Sequence, residues 1–280
     1  MKKITNAMYL IASAKLRHAK AELNATRPYF DALKTEIKRV FRIEEKIENN
    51  YFYPISGSHE FEGAYGYLVI TADKGLAGAY NHNVIKKTAE LLKMHSPSKL
   101  FVVGEYGRQY FLSHHTSIEA DFLYTAQNPT LHRARRISNT LLEQYQSGEL
   151  KKIFVIYTDF NNGLSAEVNV MRLLPFHRAD FIGAEKEKKP QTNFEFLNSL
   201  NNVLDSIMPS YITGFIYSAL VDSFCSEQSA RMNAMNSANE NTKELLSELS
   251  LKYNRERQNI ITQEITEISA ASTNGLSERM

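Results

Sequence analysis

From about Pro209 to Ser269 the chain repeats its inward-type positions at steps of three and four: Met232, Met235, Asn239, Thr242, Leu246, Leu249, Tyr253, Glu256 and Ile260. That spacing is the seam of a heptad helix. No proline follows Pro209 and no glycine follows Gly214 in this stretch, so nothing local ends the helix. The seam is impure, because Asn239, Thr242 and Glu256 stand where a dedicated zipper carries Leu or Ile. Such a pattern suits a helix with one close partner and otherwise polar surfaces. A helix of an ordinary bundle is the competing reading.

A second helical pattern covers Ile4 to about Ile47. Ile4, Met8, Ile11, Ala14 and His18 recur at helical spacing, and Ala7, Ala12, Ser13 and Ala19 crowd the same region with small side chains. Small residues let a partner helix approach closely. Pro28 predicts a kink or a tightened turn. The two longest helices thus lie at opposite ends of the chain. Pairing them antiparallel around an inserted domain is the economical arrangement, with Met8 facing a position between Thr242 and Ile265. Lys2, Lys3, Lys15, Arg17 and Lys20 make the early turns basic, either as a solvated face or as a surface for acidic partners.

The middle changes period. Tyr67–Thr71, Lys99–Gly104 and Ile153–Tyr157 are short apolar runs that read as buried strands, with a fourth expected at Ile118–Tyr124. Helical patterns at Asn83–Leu92, Gly107–Leu112 and Thr130–Tyr145 separate them, Thr130 serving as N-cap. Alternating strands and helices imply a mostly parallel sheet covered on both faces. The turn Asn161-Asn-Gly163 leads into Ala166–Leu174, which alternates as an antiparallel edge strand. Ala184–Thr192 reads as a polar linker, and a shorter helix, Phe194–Ile207, precedes the long one. The division is residues 1–50 as an N-terminal coiled-coil helix, 51–193 as an inserted Rossmann-like α/β domain with its linker, and 194–280 as a C-terminal helical region. Within the last, the long helix covers about 209–270.

Composition narrows the function. The formal net charge is +2, too small to make nucleic acid the default partner. No apolar run reaches the roughly 18 residues of a membrane span, and the start lacks a secretory signal. One cysteine, Cys225, excludes an internal disulfide and reads as a small core side chain in the long helix. The cytoplasm is the simplest compartment. His59, His114, His115, His132 and His177 show no metal spacing, so neither a metal nor a cofactor is expected. The loop Asp73–Gly78 carries Lys74, Gly75 and Gly78 but spells neither phosphate-binding glycine motif. Its glycines suit a turn between strand and helix. A stand-alone α/β nucleotide-binding protein using Asp73–Gly78 stays open as the alternative.

Four stretches carry a family resemblance. Ile4-Thr-Asn-Ala-Met8 with Ala12-Ser-Ala-Lys-Leu-Arg17, and Thr71-Ala-Asp-Lys-Gly-Leu-Ala-Gly-Ala-Tyr-Asn81, are the first two. Ser226-Glu-Gln-Ser-Ala-Arg-Met-Asn-Ala-Met235 with Ala238-Asn-Glu-Asn241, and Tyr253 through Ile268, are the others. In that order they resemble the gamma subunit of F-type ATP synthases. The resemblance implies a non-catalytic rotor shaft: terminal helices as an antiparallel coiled coil inside a ring of alpha and beta subunits. The middle domain would then stand at the foot, against the epsilon subunit and the membrane c-ring. It implies beta-subunit contact by Arg257, Gln258 and Thr262, with Arg255 close by, and ring contact by Met8 and Lys15. Asp73, Lys74, Gly75 and Asn81 would serve the foot, with the Arg133-Arg135-Arg136 cluster. The implied location is the cytoplasmic face of the cell membrane, as a peripheral subunit of bacterial type. The family carries more first helix ahead of Ile4, so the C-terminal helix is expected to outrun its mate. The tail from Ala271 is expected to be a frayed extension.

Overall fold

A computed structural model of the chain describes residues 2–44, 48–54, 62–161, 165–181 and 199–277. The expected linker at 184–192, His59, the start of the helix expected at Phe194, the turn residues 162–163 and the last residues of the tail lie outside them. Residues 10–234 form one compact unit, and residues 1–9 with 235–280 form another. Helices α1 (Lys2–Ile43) and α5 (Leu200–Ser277) contribute to both.

In the larger unit, the apolar runs pair as a sheet of order β2-β1-β3-β4. Strand β1 (Ala64–Ile70) is parallel to β2 (Ser98–Val103) and to β3 (Leu150–Asn161), and β4 (Ser165–Leu174) is antiparallel at the edge. Both faces are covered, which is why these strands read as near-continuous apolar runs rather than alternating ones. Tyr67, Val69, Leu100, Val102 and Ile156 pack with Val84 and Ile85 of α2 (Tyr80–Met94) and Phe111 of α3 (Glu105–Ser113). Leu68, Ile70, Phe101, Val103 and Val155 join Ile137 and Leu141 of α4 (Leu131–Gln146) and the apolar sides of α1 and α5. The Thr130 hydroxyl caps α4 by accepting the Arg133 N–H.

Three expectations need correction. Ile118–Tyr124 is not a strand: it carries one isolated bridge, Val103 to Tyr124, and Phe122 packs edge-on against Phe101 at 5.4 Å. Its polar centre, Glu119 to Asp121, supplies no second apolar face. Helix α5 has no break before Pro209; it runs from Leu200 straight through the proline, with Met208 and Ile212 fully buried on either side. Packing there outweighs the hydrogen bond that Pro209 cannot donate. The same helix stays helical past Gly275 to Ser277, where fraying was expected.

The buried face of α1 also differs. Within the larger unit it is Ala12, Ala19, Thr26, Leu33 and Val40, interleaved with Leu16, Leu23, Phe30 and Ile37. Both series repeat every seven residues. Ile11, expected inside, is 57% exposed, and Ala14 and His18 are exposed as well. Small residues at 12 and 19, not Ile4 or Ile11, mark the buried side of the first turns. The helices run antiparallel: the Phe30 ring meets Gly214 and lies 6.5 Å from the Tyr217 ring. Further back on α1 the charge of Lys20 is felt at Cys225, and that of Lys15 at Glu227, further along α5.

In the smaller unit the Thr5 hydroxyl donates to the Asn239 side-chain oxygen, Met235 is 5% exposed and Thr242 is half-buried. This pairing sets Met8 back toward Met235, not toward the expected stretch beyond Thr242. Ile4 is 65% exposed. From Lys243 to Ile268 every residue is exposed, including the seam positions Leu246, Leu249, Tyr253 and Ile260.

Candidate functional site

The loop joining β1 to α2 is where a sheet of this order would take a ligand. Strand β1 has β2 on one side and β3 on the other, so a crevice is due at the carboxyl ends of β1 and β3. Helix α5 fills it. The Thr158 N–H donates to the Ser223 hydroxyl at 3.2 Å, and the Ser226 hydroxyl donates to the carbonyls of Thr158 and Asp159 at 3.3 and 3.1 Å. Tyr80 is buried beside them, and that burial drives its phenol well above the ordinary tyrosine range.

The loop itself is fixed by its own polar side chains. The Asp73 carboxylate accepts the N–H groups of Glu105 at 3.1 Å, Ala126 at 3.0 Å and Gln127 at 3.0 Å. The Asn81 side-chain oxygen accepts the Ala72 N–H at 2.9 Å. Arg231 reaches across from α5: one guanidinium nitrogen meets Glu227 Oε1 at 2.5 Å, and the other donates to the carbonyls of Lys74 and Gly75 at 3.4 and 3.0 Å. Glu227 is 2% exposed, and burial raises its carboxyl pKa against the pull of Arg231. Lys15, half-buried on α1, adds a second cation near this carboxylate.

This geometry gives the nucleotide-binding alternative no support. The loop sets the Asp73 carboxylate where a phosphate would have to sit beside it. Arg231, the cation nearest the loop carbonyls, is already paired with Glu227. The four foot candidates therefore divide. Asp73 and Asn81 are spent on holding the loop, Gly75 and Lys74 offer carbonyls to Arg231, and the Lys74 side chain is exposed. Arg133 likewise is committed, its guanidinium donating to the carbonyls of Thr125, Gln127 and Asn128 at 3.0, 2.6 and 3.3 Å. Among the described residues no group of three or more His, Cys, Asp or Glu could hold a metal ion.

In the smaller unit, Met8 is half-buried, whereas Arg255, Arg257, Gln258 and Thr262 are exposed on α5. Gln258 and Thr262 are four residues apart and share a side, and the Thr262 hydroxyl donates to the Gln258 carbonyl at 2.8 Å. Sequence reasoning missed Glu227 and Arg231 as a pair. The available signal was their spacing of four on a helix with opposite charge.

Helix α5 thus closes the ligand crevice of its own α/β domain. Comparison with known proteins shows the family. Residues 1–273 match the family model described as ATP synthase. The ATP synthase gamma chain of Caldanaerobacter subterraneus subsp. tengcongensis is 41% identical over 276 residues, covering 96% of this chain and 93% of that one. That of Acetivibrio thermocellus is 38% identical over 272 residues, covering 95% and 92%. Among solved structures, a chain of the Tetrahymena thermophila mitochondrial ATP synthase central stalk and c-ring superposes with a TM-score of 0.59 at 25% identity, covering 84% and 99%. The chain belongs to the ATP synthase gamma-chain family.

Proposed function

We propose that this chain is the non-catalytic central-stalk subunit, the rotor shaft, of an F-type ATP synthase. It couples ion translocation through the membrane sector to ATP synthesis and hydrolysis on the beta subunits. The observation that carries the reading is the run Lys243–Ile268, exposed throughout although it presents Leu246, Leu249, Tyr253 and Ile260 at helical spacing. An apolar seam of that length on a long helix calls for protein around it.

In this reading α1 and α5 form an antiparallel coiled coil, residues 51–193 fold as a Rossmann-like foot, and the distal part of α5 stands inside the alpha and beta ring. Arg255, Arg257, Gln258 and Thr262 contact beta-subunit loops, and Met8 and Lys15 lie toward the ring. The loop at Asp73, Lys74, Gly75 and Asn81 serves the epsilon subunit and the c-ring, with Lys74 as its exposed charge. The subunit works at the cytoplasmic face of the membrane, which it meets only through its partners. Among the described residues no helix is long and apolar enough to cross a membrane. The shaft makes no bonds; it selects beta-subunit conformations through contacts that differ between rotary positions.

Co-expression with the matching alpha and beta subunits tests this. An affinity tag on the alpha subunit should retain the chain in a complex with both, whereas the isolated chain should bind no ATP. Recovery of alpha and beta without the chain, or micromolar ATP binding by the chain alone, contradicts the reading.

A further inference from the structure

Helix α4 and the segment before it enclose a cleft of about 540 Å³ at the carboxyl end of β2. One wall is fixed. Arg133 spends its guanidinium on three backbone carbonyls of residues 125–128, and Thr130 caps the helix through the Arg133 N–H. The other wall is apolar, made by the Tyr124 ring and by Leu123, which is 67% exposed. Across the opening, the Arg136 guanidinium lies over Tyr124, 5.7 Å from the ring centre. His132 stands on the same rim, and Asp121 is the one carboxylate lining the cleft.

Lys87, Lys99, Lys243 and Lys252 each have a carboxylate within ion-pair distance, at Glu90, Glu149, Glu240 and Glu248. Arg136 shares with Arg135 and other exposed cations the lack of such a partner among the described residues. It differs from Arg135 in lining the cleft and lying over the Tyr124 ring. An arginine seated on an aromatic face keeps its edge donors for an incoming planar anion. The cleft volume lies within the range of about 300–1,000 Å³ typical of ligand pockets. The chain's net charge of +2 gives it no general attraction for nucleic acid.

We propose that this cleft binds an acidic peptide segment of a protein partner, a carboxylate meeting Arg136 while an apolar side chain covers Leu123. The site belongs to the larger unit and stands independently of the central-stalk reading.

The test uses the full chain and two labelled peptides, one alternating Glu and Leu and one alternating Gln and Leu, at low and at physiological salt. Fluorescence anisotropy should show binding of the Glu peptide and not of the Gln peptide. Arg136→Ala should weaken it by about tenfold or more, the loss of one charge-assisted contact. Arg135→Ala, exposed on the same helix but outside the cleft, should leave it nearly unchanged. Equal loss in both variants would reduce the effect to general surface charge and overturn the proposal. So would a Glu peptide that fails to bind the wild-type chain, or a labelled oligouridylate that binds more tightly than the peptide. Unchanged circular-dichroism melting of both variants ties any loss to binding.

Discussion

Gly214 and Phe30 lock the two long helices together in the larger unit: a Cβ built on Gly214 would lie 2.0 Å from the Phe30 ring. Gly214→Ala sets two effects against each other. Alanine gains about 1 kcal/mol of helix propensity. Overpacking costs about 1–3 kcal/mol, and at 2.0 Å the ring itself must move, so the cost wins. The variant should melt at lower temperature than wild type. In a Phe30→Ala background the same substitution should be neutral or stabilising, because the obstacle is gone. A thermal-denaturation double-mutant cycle reads both.

Asp222 predicts a pH dependence. Its carboxyl is pushed up to about 6, first by burial and then by Asp159 on β3, against the pull of the Ser218 hydroxyl and of Arg27 on α1. Tyr157 and Cys225 also face this charge, with Lys20 acting on Cys225. The folded pKa lies above the unfolded value, so the neutral form favours folding. The resulting penalty is absent below about pH 4, grows as pH rises through about 6, and is complete above it. Asp222→Asn should therefore stabilise the chain at pH 8, by up to about 3 kcal/mol, and change little at pH 4. Urea titrations at the two values decide it. Equal effects at both would show that the carboxyl is not the source.

Glu227 and Arg231 form a nearly dry ion pair, their side chains 3% and 12% exposed. Breaking such a pair from one side strands a buried charge and costs about 3–5 kcal/mol. Arg231→Met should show that loss and free the loop whose carbonyls Arg231 holds. Trypsin should then cut after Lys74 far faster than in wild type. The double variant with Glu227→Met should recover much of the stability but not the protection of Lys74, since the carbonyls of Lys74 and Gly75 still lack their donor.

At the far end of α5 the expectation reverses, because function rather than folding should suffer. Gln258 and Thr262 are exposed and share one side of the helix. Gln258→Ala with Thr262→Ala should leave the unfolding free energy of the isolated chain within about 0.5 kcal/mol of wild type. In the assembled complex, neutral hydrogen bonds worth about 0.5–1.5 kcal/mol each should be lost in some rotary positions. Slower ATP synthesis and weaker cooperativity are the expected readouts. Wild-type turnover would make these residues plain helix surface.

What could be read in the sequence follows from which forces are local. The apolar runs Tyr67–Thr71, Lys99–Gly104 and Ile153–Tyr157 announced three parallel strands, because a strand covered on both faces has little room for polar residues. The Thr130 cap was equally legible. The buried face of α1 was not. Ile4 and Ile11 pointed one way, whereas close packing at Ala12, Ala19 and Phe30 is decided by the partner helix. Nor could Asp73 be recognised as a clamp on Ala126 and Gln127, which lie far along the chain. The helix through Pro209 was missed for a related reason: local propensity names a breaker, and only the surrounding core overrides it.

The central claim is rotation, and one measurement addresses it directly. Met94 is 72% exposed while the native Cys225 is 1% exposed, so Met94→Cys provides a thiol that labels selectively. A bead attached there, with the alpha and beta ring fixed to a surface through the alpha subunits, reports the motion of this chain as ATP is added. The account predicts unidirectional turning that depends on ATP and stops when hydrolysis on the beta subunits is blocked. A complex that hydrolyses ATP at full rate while the bead shows only Brownian motion would contradict it.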